Sequence, residues 1–196
     1  MKLALLIAYS YIIGSVPFGM ILAKIKGVDL RGAGSGNIGA TNVLRAMGRM
    51  PAILTLMGDL LKGTAAVAVG RILGVGPLYE GILGLSAIAG HNFSIFLKFR
   101  GGKGVATSLG VILIYLPEAG ILTVGLWLFT TLITRYSSLA AVVSFGFLPF
   151  GAFIFGGSKE QVAVSIVIAL LLIIRHSENI KKLLKGTERR IGEKKA

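Results

Sequence analysis

The chain has no cysteine among its 196 residues. Disulfides, thiolate nucleophiles and cysteine metal sites are therefore excluded. Histidine is scarce as well: His91 and His176 alone do not make a convincing zinc site. Neither a metal nor a cofactor is expected. Acidic residues number 8 against 21 Lys and Arg, a net charge of +13. Only 15% of residues are charged, so the positive charge must be concentrated in short stretches. Aromatics are 8% and fall mostly inside apolar runs. No stacking platform is interleaved with the basic residues, so nucleic acid is not an expected partner. What dominates is apolar: 54% hydrophobic residues and a mean hydropathy of +0.82. Such an average belongs to a polytopic membrane protein, not to a soluble domain.

A bilayer core takes about 20 apolar helical residues. Leu3 to Ala23 fits; it is too long for a signal-peptide core and no small-x-small cleavage site follows, so it reads as a retained span. Pro51 to Leu73 and Leu78 to Leu97 fit too. Val105 to Thr134 is too long for one crossing and contains "LPEAG", which divides it into Val105 to Leu116 and Ala119 to Thr134. Leu139 to Phe155 and Gln161 to Ile174 complete an all-α bundle of about seven membrane helices. With that count, 17 of the 21 Lys and Arg fall on one side. The exceptions are Lys2, Lys62, Arg71 and Lys159. The positive-inside rule makes the crowded side cytoplasmic, with the N-terminus outside and the C-terminus inside. A six-span count would scatter the same charges over both faces.

One domain, residues 1–196, accounts for the whole chain, without internal repeats or linkers. The basic tail, about 176–196, carries Ile180, Leu183 and Leu184 at helical spacing and suits an amphipathic helix on an anionic leaflet, or a topology-setting tail alone. Gly14, Gly58, Gly63, Gly81, Gly84 and Gly90 are placed to let helices approach closely. Asp59 and Lys62 stand at i and i+3 inside the second span. They read first as a structural ion pair and second as part of a substrate site. His91, with Asn92, is expected deep in the third span as a buried, hydrogen-bonded structural histidine.

Three polar clusters interrupt the apolar runs. In "RGAGSGNIGATNVLR", Gly34, Gly36 and Gly39 permit turns that aim backbone N–H groups at one anion. Ser35, Asn37, Thr41 and Asn42 add donors, and Arg45 adds a guanidinium that grips phosphate oxygens in pairs. "ATNVLRAMGR" predicts a helix whose N-terminus faces the same anion. In "LKFRGGKGVAT", Arg100 and Lys103 supply charge, Gly101, Gly102 and Gly104 supply backbone, and Thr107 opens the next span. The sequence is not a Walker A loop, because Gly104 follows the lysine. In "RHSEN", His176 and Asn179 share one helix face. Each cluster has a plainer reading: a glycine spacer, a positive-inside loop, a polar helix end. All three map to the cytoplasmic face, which favours a site for a phosphorylated solute at the lipid boundary. An enzyme fits better than a transporter, whose site lies near the bilayer midplane between repeats.

In this order and between apolar spans, "SGNIGATN...R", "FRGGKGVAT" and "RHSEN" resemble the bacterial glycerol-3-phosphate acyltransferases that use acyl phosphate, the PlsY family. "GDLLKG" is similar too, and the resemblance covers nearly the whole chain. It implies acyl transfer from acyl phosphate to the 1-hydroxyl of glycerol 3-phosphate. The products would be lysophosphatidic acid and phosphate, in the first step of phospholipid biosynthesis at a bacterial inner membrane. It implies catalytic roles for Ser35, Arg45, Lys103, His176 and Asn179. The expected partners are the two substrates and membrane lipid, and the expected state is a monomer. The H-x4-D motif of other glycerol-phosphate acyltransferases is missing: five residues after His91 stands Phe96, and five after His176 stands Lys181.

The topology can be checked in a chain that has no native cysteine. Ala33→Cys should react with an impermeant thiol reagent only from the cytoplasm, and Ser158→Cys only from outside. Labelling of both from one side would overturn the seven-span topology.

Overall fold

The computed structural model describes residues 2–193, and all regular structure among them is helical. The chain falls into two compact units, Met1–Tyr115 and Leu116–Ala196. Lys194 and Lys195, counted above with the basic tail, lie outside the described residues.

The first unit opens with α1 (Lys2–Ser15) and α2 (Phe18–Ile25). The sequence suggested one continuous span here. Lys2–Ile25 is indeed one run long and apolar enough to cross a bilayer, with its helix interrupted at Val16 and Pro17, because proline cannot donate to the preceding turn and its ring clashes with it. A short α3 (Ala40–Met47) follows, as expected from "ATNVLRAM", and ends at Gly48 with φ of +84°. The long α4 (Arg49–Ile72) carries Asp59 and Lys62. It is followed by α5 (Pro77–Asn92) and α6 (Val105–Tyr115). α5 is shorter than the predicted span to Leu97. It stops at Asn92, and Ile95–Leu97 form only a single 3-10 turn. His91 and Asn92 therefore sit at a helix end beside a loop, not deep within a span.

The helices of this unit meet through glycines. A methyl group on Gly63 of α4 would collide with the Thr107 carbonyl of α6, and one on Gly110 of α6 with the Leu60 carbonyl of α4. Gly14 of α1 and Gly90 of α5 press in the same way on the Ala87 and Tyr11 carbonyls. Close backbone approach is how helices associate where lipid removes the hydrophobic drive between them. Val67, Leu83, Ile88, Val111 and Ile112 fill the space between α4, α5 and α6. Ser94 Oγ donates to the Ser15 carbonyl at 2.6 Å, and Tyr11 to the Phe93 carbonyl at 2.6 Å, closing the α1–α5 contact.

The second unit holds α7 (Pro117–Thr134), α8 (Ser137–Gly146), α9 (Leu148–Ile154), α10 (Lys159–Arg175) and α11 (Ser177–Leu184). The expected break before α7 is present, and Pro117 occupies its first turn, where a missing N–H costs nothing. Ser158 and Gln161 form a capping box at the start of α10. Phe145, Leu148, Ile168 and Leu172 make the core of this unit. The tail helix covers only Ser177–Leu184 and stops at Gly186, whose φ is +67°. Residues beyond it fold back: Ile191 N–H donates to the Arg135 carbonyl at 2.8 Å, and Arg135 Nη2 to the Ile191 carbonyl at 3.0 Å.

Lys2–Ile25, Arg49–Ile72, Pro117–Thr134 and Ser137–Ile154 are long and apolar enough to cross a bilayer. The α10–α11 pair, bent by 59°, makes a fifth if it is taken as one span. The seven-span reading needs α5 and α6 too, at 16 and 11 residues, both below the usual length. Large apolar side chains such as Ile72, Leu132, Phe153 and Ile174 are exposed, as a chain solvated by hydrocarbon requires.

The glycine contacts set a packing test. Gly110→Val should destabilise the protein by about 1–3 kcal/mol or more through overpacking against α4. Gly125→Val, where a new side chain meets nothing within 4 Å, should leave the thermal midpoint in detergent nearly unchanged.

Candidate functional site

The first motif, residues 31–45, forms a loop leading into α3. Asp29 Oδ1 accepts from the N–H groups of Arg31 and Gly32 at 3.1 and 3.2 Å and starts the turn. Gly34 and Gly36 have φ of +58° and +70°, values that other residues adopt with strain. The centre of the loop is Asn42, which is buried. Its Oδ1 accepts from the Ser35 N–H at 2.8 Å. The two hydrogens of its Nδ2 are shared among the carbonyls of Leu30, Ala33 and Asn37, at 3.1, 3.1 and 2.8 Å. Asn42 was expected among the groups facing a ligand. Its amide is instead engaged inside the loop and dictates the loop's shape. Ser35 is left exposed at the turn, Asn37, Gly39 and Thr41 are half-buried, and the half-buried Arg45 passes its side chain against Gly34.

The second motif follows the same logic. Lys98 and Phe99 have φ of +52° and +61°, an uncommon pair of left-handed residues without glycine. They turn the chain so that the Gly101 N–H reaches the Asn92 carbonyl at 3.1 Å and the Gly102 N–H reaches the His91 carbonyl at 3.0 Å. These two amides were expected to cradle a phosphate. They cap the C-terminus of α5 instead. Glycine is required at both positions because a methyl group would collide with the His91 carbonyl at Gly101 and with the His91 ring at Gly102. Gly104 has φ of +85° and starts α6, accepting the Ser108 N–H at 2.7 Å. The half-buried Lys103 thus lies one residue before a helix N-terminus, where an anion is favoured. Beside it, Asn92 and Thr107 Oγ1 are fully buried with side-chain polar atoms that no group among the described residues satisfies.

The two loops are tied together. Arg31 Nη2 donates to the Arg100 carbonyl at 2.6 Å, across 69 residues of sequence. Arg31 was not singled out by the sequence, because one more arginine in a basic loop carries no signal. Ser35 and Arg45 on one side and Lys103 on the other therefore belong to adjacent polar loops of the first unit.

The third motif lies in the second unit. His176 is buried at the 59° bend between α10 and α11, where its Nδ1 donates to the Leu172 carbonyl at 2.8 Å. That hydrogen bond leaves Nε2 as the basic nitrogen. Asn179 Nδ2 donates to Glu188 Oε1 at 2.7 Å, and Ser138 Oγ donates to the same oxygen at 2.7 Å. Glu188 was missed by the sequence reading because it stands in a basic tail with no recognisable spacing.

Similarity to known proteins runs the length of the chain. The family model for glycerol-3-phosphate acyltransferase matches residues 4–186. The glycerol-3-phosphate acyltransferase of Rubrobacter xylanophilus is 44% identical over 96% of this chain and 94% of its own. Glycerol-3-phosphate acyltransferase 1 of Deinococcus radiodurans is 46% identical over 98% and 96%. The crystal structure of PlsY (YgiH), an integral membrane glycerol 3-phosphate acyltransferase, in its glycerol 3-phosphate form superposes with a TM-score of 0.94. It is 39% identical over 98% of this chain and 96% of that one. Its lysophosphatidic acid form gives 0.92 at 38% identity, with the same coverage.

The loop architecture makes its own prediction. Asn42→Ala leaves the carbonyls of Leu30, Ala33 and Asn37 and the Ser35 amide without their partner, each bond being worth about 0.5–1.5 kcal/mol net. Amide hydrogen exchange over residues 30–37 should accelerate, that of Ser35 most, while exchange in α4 stays unchanged. Unaltered exchange at Ser35 would show that Asn42 does not hold the loop.

Proposed function

The chain belongs to the glycerol-3-phosphate acyltransferase family, the PlsY family, and from that premise we propose that it transfers a fatty acyl group from acyl phosphate to the 1-hydroxyl of glycerol 3-phosphate. The products are lysophosphatidic acid and inorganic phosphate, at the cytoplasmic face of a bacterial inner membrane. The observation that carries this reading is the pairing of two cation-bearing loops through Arg31 and the Arg100 carbonyl. Both substrates are phosphates, and both loops offer a cation beside groups suited to an anion. The donor is a mixed anhydride and is already activated, so the protein has mainly to position the partners and stabilise the developing oxyanion.

In the proposed reaction the glycerol hydroxyl oxygen attacks the acyl carbonyl and forms the new ester bond. The bond from the carbonyl carbon to the phosphate oxygen breaks, and phosphate leaves with the electron pair. Arg45 and Lys103 hold phosphate oxygens, and the Ser35 hydroxyl donates to the oxyanion. The hydroxyl proton goes to a substrate phosphate, whose second pKa is about 6. His176, with Nε2 basic, is the second candidate for that proton. Among the described residues no base is hydrogen-bonded to the Ser35 hydroxyl, which favours direct transfer over an acyl-enzyme. The proposed working form is the monomer, in a single membrane-embedded domain.

Purified protein in detergent should release phosphate from acyl phosphate only when glycerol 3-phosphate is present, and should form acylated glycerol phosphate. Acyl-CoA should substitute poorly, since the described residues form membrane-type helices and loops with no soluble nucleotide-binding domain for its adenosine. Ser35→Ala, Arg45→Ala and Lys103→Ala should each lower turnover at least tenfold in folded protein. No acylated product in detergent, together with organophosphate flux in liposomes, would replace the enzyme with a transporter.

A further inference from the structure

A buried charged cluster lies under the Lys103 loop, and the proposed chemistry makes no use of it. Asp59, Lys62 and His91 are 2%, 5% and 4% exposed. Lys62 Nζ lies 2.8 Å from Asp59 Oδ1, 2.9 Å from the Val16 carbonyl and 2.8 Å from His91 Nδ1. An ammonium has three N–H donors and no acceptor. The Val16 carbonyl and His91 Nδ1 each take one of these donors, so His91 Nδ1 must accept, and Asp59 Oδ1 supplies the counter-charge by proximity rather than by an aligned hydrogen bond. Asp59 Oδ1 stands 3.5 Å from the same ring nitrogen, further than the lysine. The ring proton is then on Nε2. That nitrogen is turned towards the loop, since a methyl group on Gly102 would overlap it. The His91 main chain meets the loop as well, through the Gly102 N–H at 3.0 Å. Lys103 is the next residue.

A buried ion pair is a weak source of stability, and apolar side chains of the same volume could join these helices equally well. What apolar side chains cannot do is set the tautomer and angle of an imidazole. We infer that Lys62 and His91 are positioning residues for the phosphate loop. Lys62, anchored by Asp59 and by the carbonyl at the α1–α2 break, presents the His91 ring as an Nε2 donor. The ring fixes the height of Gly102, and so the direction in which Lys103 meets the substrate phosphate. Neither residue touches substrate. The role rests on the function proposed above, since it concerns the same loop.

The test separates loop geometry from folding and from the acyltransferase reading. Inorganic phosphate, a product of the proposed reaction, serves as the probe. His91→Asn retains a polar group near the Nδ1 position and removes the loop-side nitrogen, whereas His91→Gln retains a nitrogen near Nε2. In folded protein, His91→Asn should weaken inhibition by inorganic phosphate and raise KM for a phosphate substrate about tenfold, with a smaller change in kcat. His91→Gln should recover most of that loss. Lys62→Met alone strands Asp59 as an unpaired buried carboxylate, so the double variant Asp59→Asn, Lys62→Met is the one to compare. It should fold and weaken phosphate as His91→Asn does. In a Lys103→Ala background, His91→Asn should add less than a twofold further change, because its effect passes through that lysine. The proposal is overturned if His91→Asn changes neither KM nor phosphate inhibition by more than twofold. Full additivity with Lys103→Ala, or a His91→Gln no better than His91→Asn, would also overturn it. If the wild-type protein forms no acylated glycerol phosphate, the functional reading falls instead. Phosphate-induced thermal stabilisation of the same variants then decides the positioning role, with the same order among variants expected and equal stabilisation of all of them overturning it.

Discussion

Lys62 carries its ammonium inside an apolar helix, and its need for a counter-charge and two acceptors organises the first unit. Asp59, one turn earlier on α4, supplies the counter-charge. One acceptor is the Val16 carbonyl, which lies between α1 and α2 at the helix interruption beside Pro17. The other is a ring nitrogen at the end of α5. A charge in a low-dielectric interior is tolerated only when it is surrounded in this way. One side chain thereby joins the α1–α2 break, α4 and the end of α5. That end is also the place where Gly101 and Gly102 return to cap the helix. The Lys103 loop is built on this junction and inherits its position.

Glycine works differently here from what a glycine-rich motif suggests. In the second loop the glycine amides are consumed by the His91 and Asn92 carbonyls, and the missing side chains allow the loop to lie directly on the α5 terminus. In the first loop, Gly34 and Gly36 supply left-handed turns around Asn42, whose amide holds the interior. Polar groups available to a ligand are thus fewer than the motifs contain. Ser35, Arg45 and Lys103 stand on loops in which the amides of Ser35, Gly36, Gly101 and Gly102 are already engaged within the protein. The same absence of a side chain sets the helix packing, where Gly63 and Gly110 bring α4 and α6 into backbone contact. Two uses of one residue type, turning and close approach, account for much of the first unit.

Much of the chain was readable from its order of residues. Apolar runs of bilayer length must be helical, because hydrocarbon offers no partner to an exposed amide or carbonyl. "LPEAG" marked the break before α7, and "ATNVLRAM" marked α3. The helix ends were harder. α5 stops at Asn92 although apolar residues continue to Leu97, because its last carbonyls are satisfied by amides from a later loop. No local pattern carries that information. Arg31 and Glu188 were invisible for a related reason. Arg31 matters through a partner 69 residues away and Glu188 through partners 9 and 50 residues away, and neither stands at a spacing that chemistry requires.

Composition and charge asymmetry determined by themselves that this is a helical membrane protein, and the glycerol-3-phosphate acyltransferase assignment came from the resemblance of its three motifs to that family. Those properties depend on which residues are present and in what order, and a bilayer reads them directly. Which polar groups are consumed in holding the frame was decided only by tertiary structure. Every donor in a dry interior must find an acceptor, and the pairings that satisfy Asn42, Lys62, Gly101 and Gly102 are set by the meeting of separate segments in space. Residue type lists what each group could bond to, and the fold chooses which bond it makes.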